Sequence, residues 1–358
     1  MTDPAQLFEA LADPVKDAEV FFGAKTWDVP RKILYELEEP EARVIAYGCH
    51  SSGKTHTGVI GDFRHTKKWP DGRIVAMAPT GPQLTLVYWS EARTIHANMA
   101  IPCLPPINRD YLAYPDQPKR GIVSVSTDKP ERLRGLKGGH LRLHIEEING
   151  VREEHFPEID SMFASANVSM FATMNPTRAK GPAFDMVTAQ SHLYTIHKIP
   201  AWITPNLSTL GEGRDEILEA ILSMPEDRGG PLDENVMPFL ISRRYVRDMW
   251  GKCNGNEKHP QWLSRIEAEF PSMSDDLLLD LAWIDAAEKP STAPGTGKLV
   301  AWIDVAGGGR DETALCSAEH WWDDKGQKHV SIVGEWDWSI PDARNDVIAV
   351  LKRYEMRW

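Results

Sequence analysis

The sequence is poor in cysteine. Cys49, Cys103, Cys253 and Cys316 are its only four, far apart and with neither CxxC nor zinc-ligand spacing. That excludes a disulfide scaffold or a cysteine-held structural metal and points to free thiols in a reducing compartment. No run of about 18 or more apolar residues occurs, so no membrane-spanning helix is expected. The opening stretch MTDPAQLFEALADPVKDAEVFF carries acids early and lacks the apolar centre of a secretory signal, so the chain is read as cytoplasmic. Basic charge is not in excess either, the net charge being -12. A passive nucleic-acid coat, whose affinity needs a strongly basic surface, is thereby disfavoured, but an enzyme gripping DNA through a local patch is not. Repeats and low-complexity tracts are missing. What remains is an ordinary globular composition, 42% hydrophobic and 26% charged over 358 residues, long enough for two or three domains.

Strand and helix patterns alternate from about residue 30 to 200. RVIAY (43–47), RIVAMAP (73–79), GIVSVST (121–127), HLRLHI (140–145) and VSMFATM (168–174) read as strands. Such alternation predicts an α/β fold with a mostly parallel sheet covered by helices on both faces. Residues 1–206 are assigned to this core. Residues 207–288, with RDEILEAILSMPED and WLSRIEAEFPSMSDDLLLDLAWIDAAEK, read as a small helical subdomain without a strong strand. The Pro/Gly/Ser/Thr-rich stretch 289–297 reads as a linker. Residues 298–358 hold three successive strand patterns and a final amphipathic helix, with Val347, Val350, Leu351, Tyr354 and Trp358 on one face.

Gly48-Cys-His-Ser-Ser-Gly53-Lys54-Thr55 matches GxxxxGK[ST] at every specified position, after an apolar strand and before a helical pattern. In such a loop backbone N–H groups, including those of Gly48, Ser52 and Gly53, turn inward to cradle phosphates. Lys54 would reach the β- and γ-phosphates, and Thr55 would ligate magnesium. LHIEE supplies the acids that hydrolysis needs: Glu146 for the magnesium shell and Glu147 to activate water. The long interval between Lys54 and Glu146 leaves room for a further strand, and RIVAMAP and GIVSVST both fall in it. FATMNPT ends the next strand with Thr173 and Asn175, placed to sense the γ-phosphate. Arg132 and Arg134, in ERLRG, are candidates for an arginine finger. Arg142 and His144 are unexpected in a central strand, which is usually apolar on both faces.

The P-loop, RLRG followed by LHIEEINGV, FATMNPT, and WIDVAGGGRDETAL after a helical segment stand in an order that resembles the large terminase subunit of tailed bacteriophages. EAEFPSMSDDLLLD resembles the segment those proteins carry before their nuclease. The resemblance covers nearly the whole chain. It implies a P-loop ATPase, a small helical subdomain and the start of an RNase H-like nuclease domain. ATP and Mg2+ would serve the ATPase, and Mg2+ or Mn2+ the nuclease, with Asp304 and Asp311 among its metal-binding acids. Glu146 departs from the usual Asp. Because the sequence ends where a second nuclease acid is expected, the chain as given is not expected to cut DNA. The resemblance also implies that Trp27 and Arg31 contact adenine, although Trp27 could equally be core. The implied partners are double-stranded DNA, a small terminase subunit and the portal, around which the chain would form a ring in the host cytoplasm, with no membrane association. Candidate DNA contacts are Lys67/Lys68, Lys119/Arg120, Lys129 with Lys137, and Arg243/Arg244/Arg247. The competing readings are a helicase or repair translocase with the same ATP site, and a nucleotide-binding assembly adaptor without turnover.

Overall fold

The computed structural model describes residues 8–9, 11–126, 138–271, 297–304 and 313–338. The chain divides into two compact units, Met1–Asp280 and Leu281–Trp358. In the first, helices α1 (Pro14–Phe22) and α2 (Asp28–Glu36) lead into β1 (Arg43–Gly48), and α3 (Lys54–Lys68) follows. Next come β2 (Gly72–Ala78), α4 (Trp89–Ala97), the short β3 (Ile107–Asn108) and β4 (Tyr111–Tyr114), and β5 (Gln117–Ser126). β6 (His140–Ile145), α5 (Phe156–Met162), β7 (Val168–Met174), α6 (Pro182–Val187) and β8 (Thr195–Ile199) complete the sheet unit. The chain then turns helical, with α7 (Arg214–Ser223) and α8 (Arg243–Lys252).

The eight strands form one sheet in the order β3-β4-β5-β2-β6-β7-β1-β8. β5, β2, β6, β7, β1 and β8 pair in parallel, while β3 and β4 add an antiparallel edge. The expected mostly parallel α/β sheet is therefore present. The β3–β4 hairpin and β8 are additions to the five expected strands, too short or too polar for an alternation pattern to reveal. The strand lying between β1 and β6 is β7. The two strands from the intervening sequence, β2 and β5, lie on the far side of β6.

The sheet is buried on both faces because alternate side chains point opposite ways. Ile74, Ala76 and Ala78 of β2 join Val59, Ile60 and Phe63 of α3 and Tyr88, Trp89 and Ala92 near α4. Val75 and Met77 of the same strand join Leu143, Met170, Phe156 and Ile159 on the other face. A third cluster unites Trp202, Ile217, Ile221, Val246, Met249 and Trp262 of the helical segment with Cys49 of the P-loop.

Arg142 and His144 sit in this apolar frame because both are fully satisfied. Arg142 donates to the carbonyls of Gly61 (2.8 Å) and Leu37 (2.6 Å), tying β6 to α3 and α2. His144 fits only because residue 58 is glycine: a Cβ there would come within 2.4 Å of both His144 Cε1 and the Phe171 ring. Gly58→Ala is expected to lose about 1–3 kcal/mol from overpacking. That outweighs the roughly 1 kcal/mol gained in helix propensity, and the net loss should appear as a lowered urea midpoint.

In the second unit, β9 (Lys298–Asp304), β10 (Thr313–Trp322) and β11 (Lys328–Trp338) form an antiparallel sheet in the order β11-β10-β9. These are the three strands expected after the linker. The amphipathic helix expected over 341–358 lies outside the described residues.

Candidate functional site

The carboxyl ends of β1, β6 and β7 meet at a cavity of about 580 Å³. His50, Ser51, Ser52, Gly53, Lys54, Thr55, His56, Glu91, Thr94, Glu146, Glu147, Asn175 and Phe239 line it. Gly48 ends β1. The loop then turns through Ser51 (φ 50°) and Gly53 (φ 79°) into α3. The left-handed residue just before the helix costs a side chain strain that glycine avoids. Free N–H groups of the first turn of α3 are thereby presented at the cavity, a favourable place for anions.

The two acids reach the same cavity through a break in the strand. In continuous β structure residues 146 and 147 would point to opposite faces. β6 ends at Ile145, and Glu147 adopts a left-handed backbone (φ 49°, ψ 54°). This turn, uncommon for a residue with a Cβ, brings the second carboxylate around beside the first.

Each group is held. Thr55 Oγ1 donates to Glu146 Oε2 at 3.1 Å, and Thr173 Oγ1 donates to the same oxygen at 2.6 Å. Lys54 Nζ donates to Cys49 O (2.9 Å), Ser52 Oγ (3.1 Å) and Asn175 Oδ1 (3.1 Å). Asn175 Nδ2 donates to Glu147 Oε1 at 2.8 Å, so Asn175 bridges the lysine to the second acid. Burial lowers the Lys54 ammonium from its ordinary range, against the pull of nearby anionic groups including Glu147 and Glu146. Burial raises the Glu147 carboxyl, and the Glu146 charge adds to the rise while Lys54 opposes it.

Behind Glu146 lies a relay that the sequence reading noticed only as an anomaly. His144 meets Glu146 Oε1 through Nε2 at 2.9 Å and Asp62 Oδ2 through Nδ1 at 2.6 Å. Tyr88 OH donates to the same Asp62 oxygen at 2.9 Å. The Tyr88 and Phe171 rings stand edge-on to the imidazole, at 4.9 and 5.2 Å. Burial alone would lower the His144 pKa, but Asp62 and then Glu146 outweigh it and raise it to about 9. Reciprocally, burial would raise Glu146, and His144 with the two threonine hydroxyls holds it below its ordinary value. The signal was present in the sequence. His144 and Glu146 share one face of β6 at i, i+2, and Thr55, Gly58 and Asp62 form one stripe of α3 at i, i+3, i+7.

The donor set suits a magnesium nucleotide. Thr55 and Glu146 bring two hard oxygens to one point, and Mg2+ is commonly bound by one or two carboxylates plus substrate phosphates rather than by a protein cage.

Other expected residues lie elsewhere. Trp27 is buried with Ile33, Leu37, Val44 and Phe171. Arg31 donates to Thr26 at 3.1 Å and pairs with Glu19 at 3.6 Å. Neither is among the residues lining the cavity. Arg132, Arg134, Lys129, Lys137 and Asp311 lie outside the described residues. Asp304 ends β9. Most of the candidate DNA-binding cations have intramolecular partners: Lys67 with Asp17, Lys68 with Glu38, Arg120 with the carbonyls of Thr66 and Lys67, Arg243 with the Asn206 carbonyl, Arg244 with Asp233 and Arg247 with Glu226. Lys119 is exposed.

Fold and site together define the class: an α/β protein with a P-loop ATPase core, whose phosphate loop, acid strand and polar-ended middle strand open on one cavity. Among solved structures, the chain is similar to the large terminase of a thermophilic bacteriophage, with TM-score 0.45 and 7% identity, covering 92% of this chain and 74% of that one. It is also similar to the ATPase domain of a Thermus phage large terminase, with TM-score 0.40 and 14% identity over 71% and 97% of the two chains. A structure of two coordinating Pif1 helicases on forked double-stranded DNA follows at TM-score 0.27 and 12% identity, over 87% and 81%. No protein-family model and no curated protein sequence matches the chain. No helix among the described residues is long and apolar enough to cross a membrane.

Proposed function

We propose that this chain is the motor of a viral DNA-packaging machine, an ATPase of the large-terminase kind that drives double-stranded DNA into a procapsid. The observation that carries the reading is the convergence of Lys54, Thr55, Glu146, Glu147 and Asn175 on one cavity, with the middle strand β7 set between the loop strand and the acid strand. Terminase-like motif order in the sequence supplies the direction of that reading.

When ATP enters, its phosphates take the place of the loop carbonyls and of Asn175 around Lys54. Thr55 and Glu146 would hold a magnesium ion, which when bound would neutralise charge on the phosphate oxygens. Glu147, its carboxyl raised by burial, accepts the proton of the attacking water. Loss of the phosphate returns Asn175 to Lys54 and Glu147, and because the P-loop shares a core with the helical segment, the change is felt there. Arg134 is the proposed arginine finger. A ring around the portal and a small terminase partner belong to the same proposal, as does the start of a metal-dependent nuclease domain carrying Asp304 and Asp311, incomplete in the chain as given.

The test is phosphate release measured with and without duplex DNA, alongside strand displacement on a forked substrate. ATP hydrolysis stimulated by duplex DNA with no strand separation is expected. Unwinding would favour a helicase, for which the described residues from 201 to 271 offer no strand of a second motor lobe. Nucleotide binding without turnover would make the chain an assembly adaptor.

A further inference from the structure

One end of the cavity is not explained by phosphate chemistry. Thr55 faces Glu146, whereas the next residue, His56, lies about 100° around the helix and bonds Glu91 through Nδ1 at 2.6 Å. The Phe239 ring lies over the His56 imidazole, with centroids 6.1 Å apart and planes 29° from parallel. Phe239 is 53% exposed, yet the turn that carries it is anchored on both sides. Fully buried Asn206 donates through Nδ2 to the carbonyls of Met237 (2.8 Å), Leu240 (3.3 Å) and Ile241 (3.0 Å), and accepts from Met237 N at 2.7 Å. Ile241 N donates to Ser51 O of the P-loop at 2.8 Å. A large apolar ring is therefore held out over the phosphate loop by a pinned turn. Exposing such a ring forgoes the stabilisation that burial would give, and a rigid aromatic at a cavity mouth is the usual means of holding a flat ligand by its face.

We propose that Phe239, backed by His56, is the platform on which the nucleobase of the bound triphosphate stacks. This rests on the nucleotide-site reading above and assigns the base end of that site. Thr94 and Glu91, which line the same cavity, already have partners: Thr94 Oγ1 donates to Ser90 O at 2.9 Å, and Glu91 holds His56. The base is thus taken by its face rather than read along its edge. The ring that does this comes from the helical segment, not from the stretch before the P-loop that holds Trp27 and Arg31.

The experiment compares ATP with inorganic tripolyphosphate, which lacks base and ribose, by calorimetry on the full chain. In Phe239→Ala the Kd for ATP is expected to rise about tenfold while that for tripolyphosphate stays as in the wild type, and Phe239→Trp should restore ATP affinity. An unchanged ATP affinity in Phe239→Ala, or equal weakening of both ligands, overturns the proposal, since equal weakening would mean that the ring acts through the loop. If the wild-type chain binds neither ligand, the nucleotide-site reading and this one fall together.

Discussion

Glu147→Gln is expected to bind ATP like the wild type and to lose at least about 100-fold in turnover. The substitution preserves shape and the ability to accept from Asn175 Nδ2, now 2.8 Å from Glu147 Oε1, so nucleotide affinity and fold should be unaffected. It removes the one property the mechanism needs, a carboxylate able to take a proton from water. Burial raises the Glu147 carboxyl, helped by the Glu146 charge and opposed by Lys54, which moves it toward the pH at which it must work. Nucleotide binding by fluorescence and phosphate release at saturating ATP check the two halves separately. Normal hydrolysis by the variant would show that another group activates the water and would remove Glu147 from the mechanism.

His144→Leu should lose about 3–5 kcal/mol of stability, the largest effect expected of any single change outside the phosphate loop. The imidazole lies between Asp62 and Glu146, at 2.6 and 2.9 Å, fully buried and walled by Tyr88 and Phe171. Leucine fills much of the space but takes the cation from between the two carboxylates, leaving Asp62 with the Tyr88 hydroxyl and Arg142 at 3.9 Å, and Glu146 with its two threonines. The cost is that of a buried charge balance broken rather than of one lost hydrogen bond. The pH dependence follows from the direction of the shift. His144 is raised from its ordinary 6.5 to about 9, so its contribution is complete below about pH 6.5 and is lost as the pH rises through about 9. The wild type should therefore weaken on the alkaline side of neutrality by an amount on the order of 3 kcal/mol, and His144→Leu should lack that step. Urea midpoints from pH 6 to 10 would show it. A flat wild-type profile would mean that His144 is neutral in the folded chain.

The same relay fixes Glu146, one methylene longer than the Asp that the motif resemblance implies. Three neighbours hold its side chain: His144 on one oxygen, Thr55 and Thr173 on the other. A glutamate with a free rotor would be a poor first acid. This one is held on both carboxylate oxygens.

Local chemistry made some features legible in the sequence. A GxxxxGK[ST] loop after an apolar strand needs only near neighbours to take its shape, so Gly48–Thr55 and the helix that follows could be read directly. The apolar runs of β1, β2, β5, β6 and β7 also announced themselves, because a sheet covered on both faces leaves little room for polar residues. Arg142 and His144 in β6 looked like flaws by that rule, since their partners Gly61, Leu37 and Asp62 lie far away in sequence. Trp27 stayed ambiguous for a related reason: an aromatic before a P-loop has the same appearance whether it meets adenine or packs in the core, and here it packs with Ile33, Leu37, Val44 and Phe171.

The sequence by itself determined the phosphate loop, the paired acids and an α/β sheet to carry them, because each depends on residues a few positions apart. Only the tertiary structure decided that β7 stands between the loop strand and the acid strand, that Asp62 and His144 brace Glu146, and that Phe239 reaches the cavity from the helical segment. Those arrangements depend on which distant segments the burial of both sheet faces brings together, and a linear pattern holds no record of that choice.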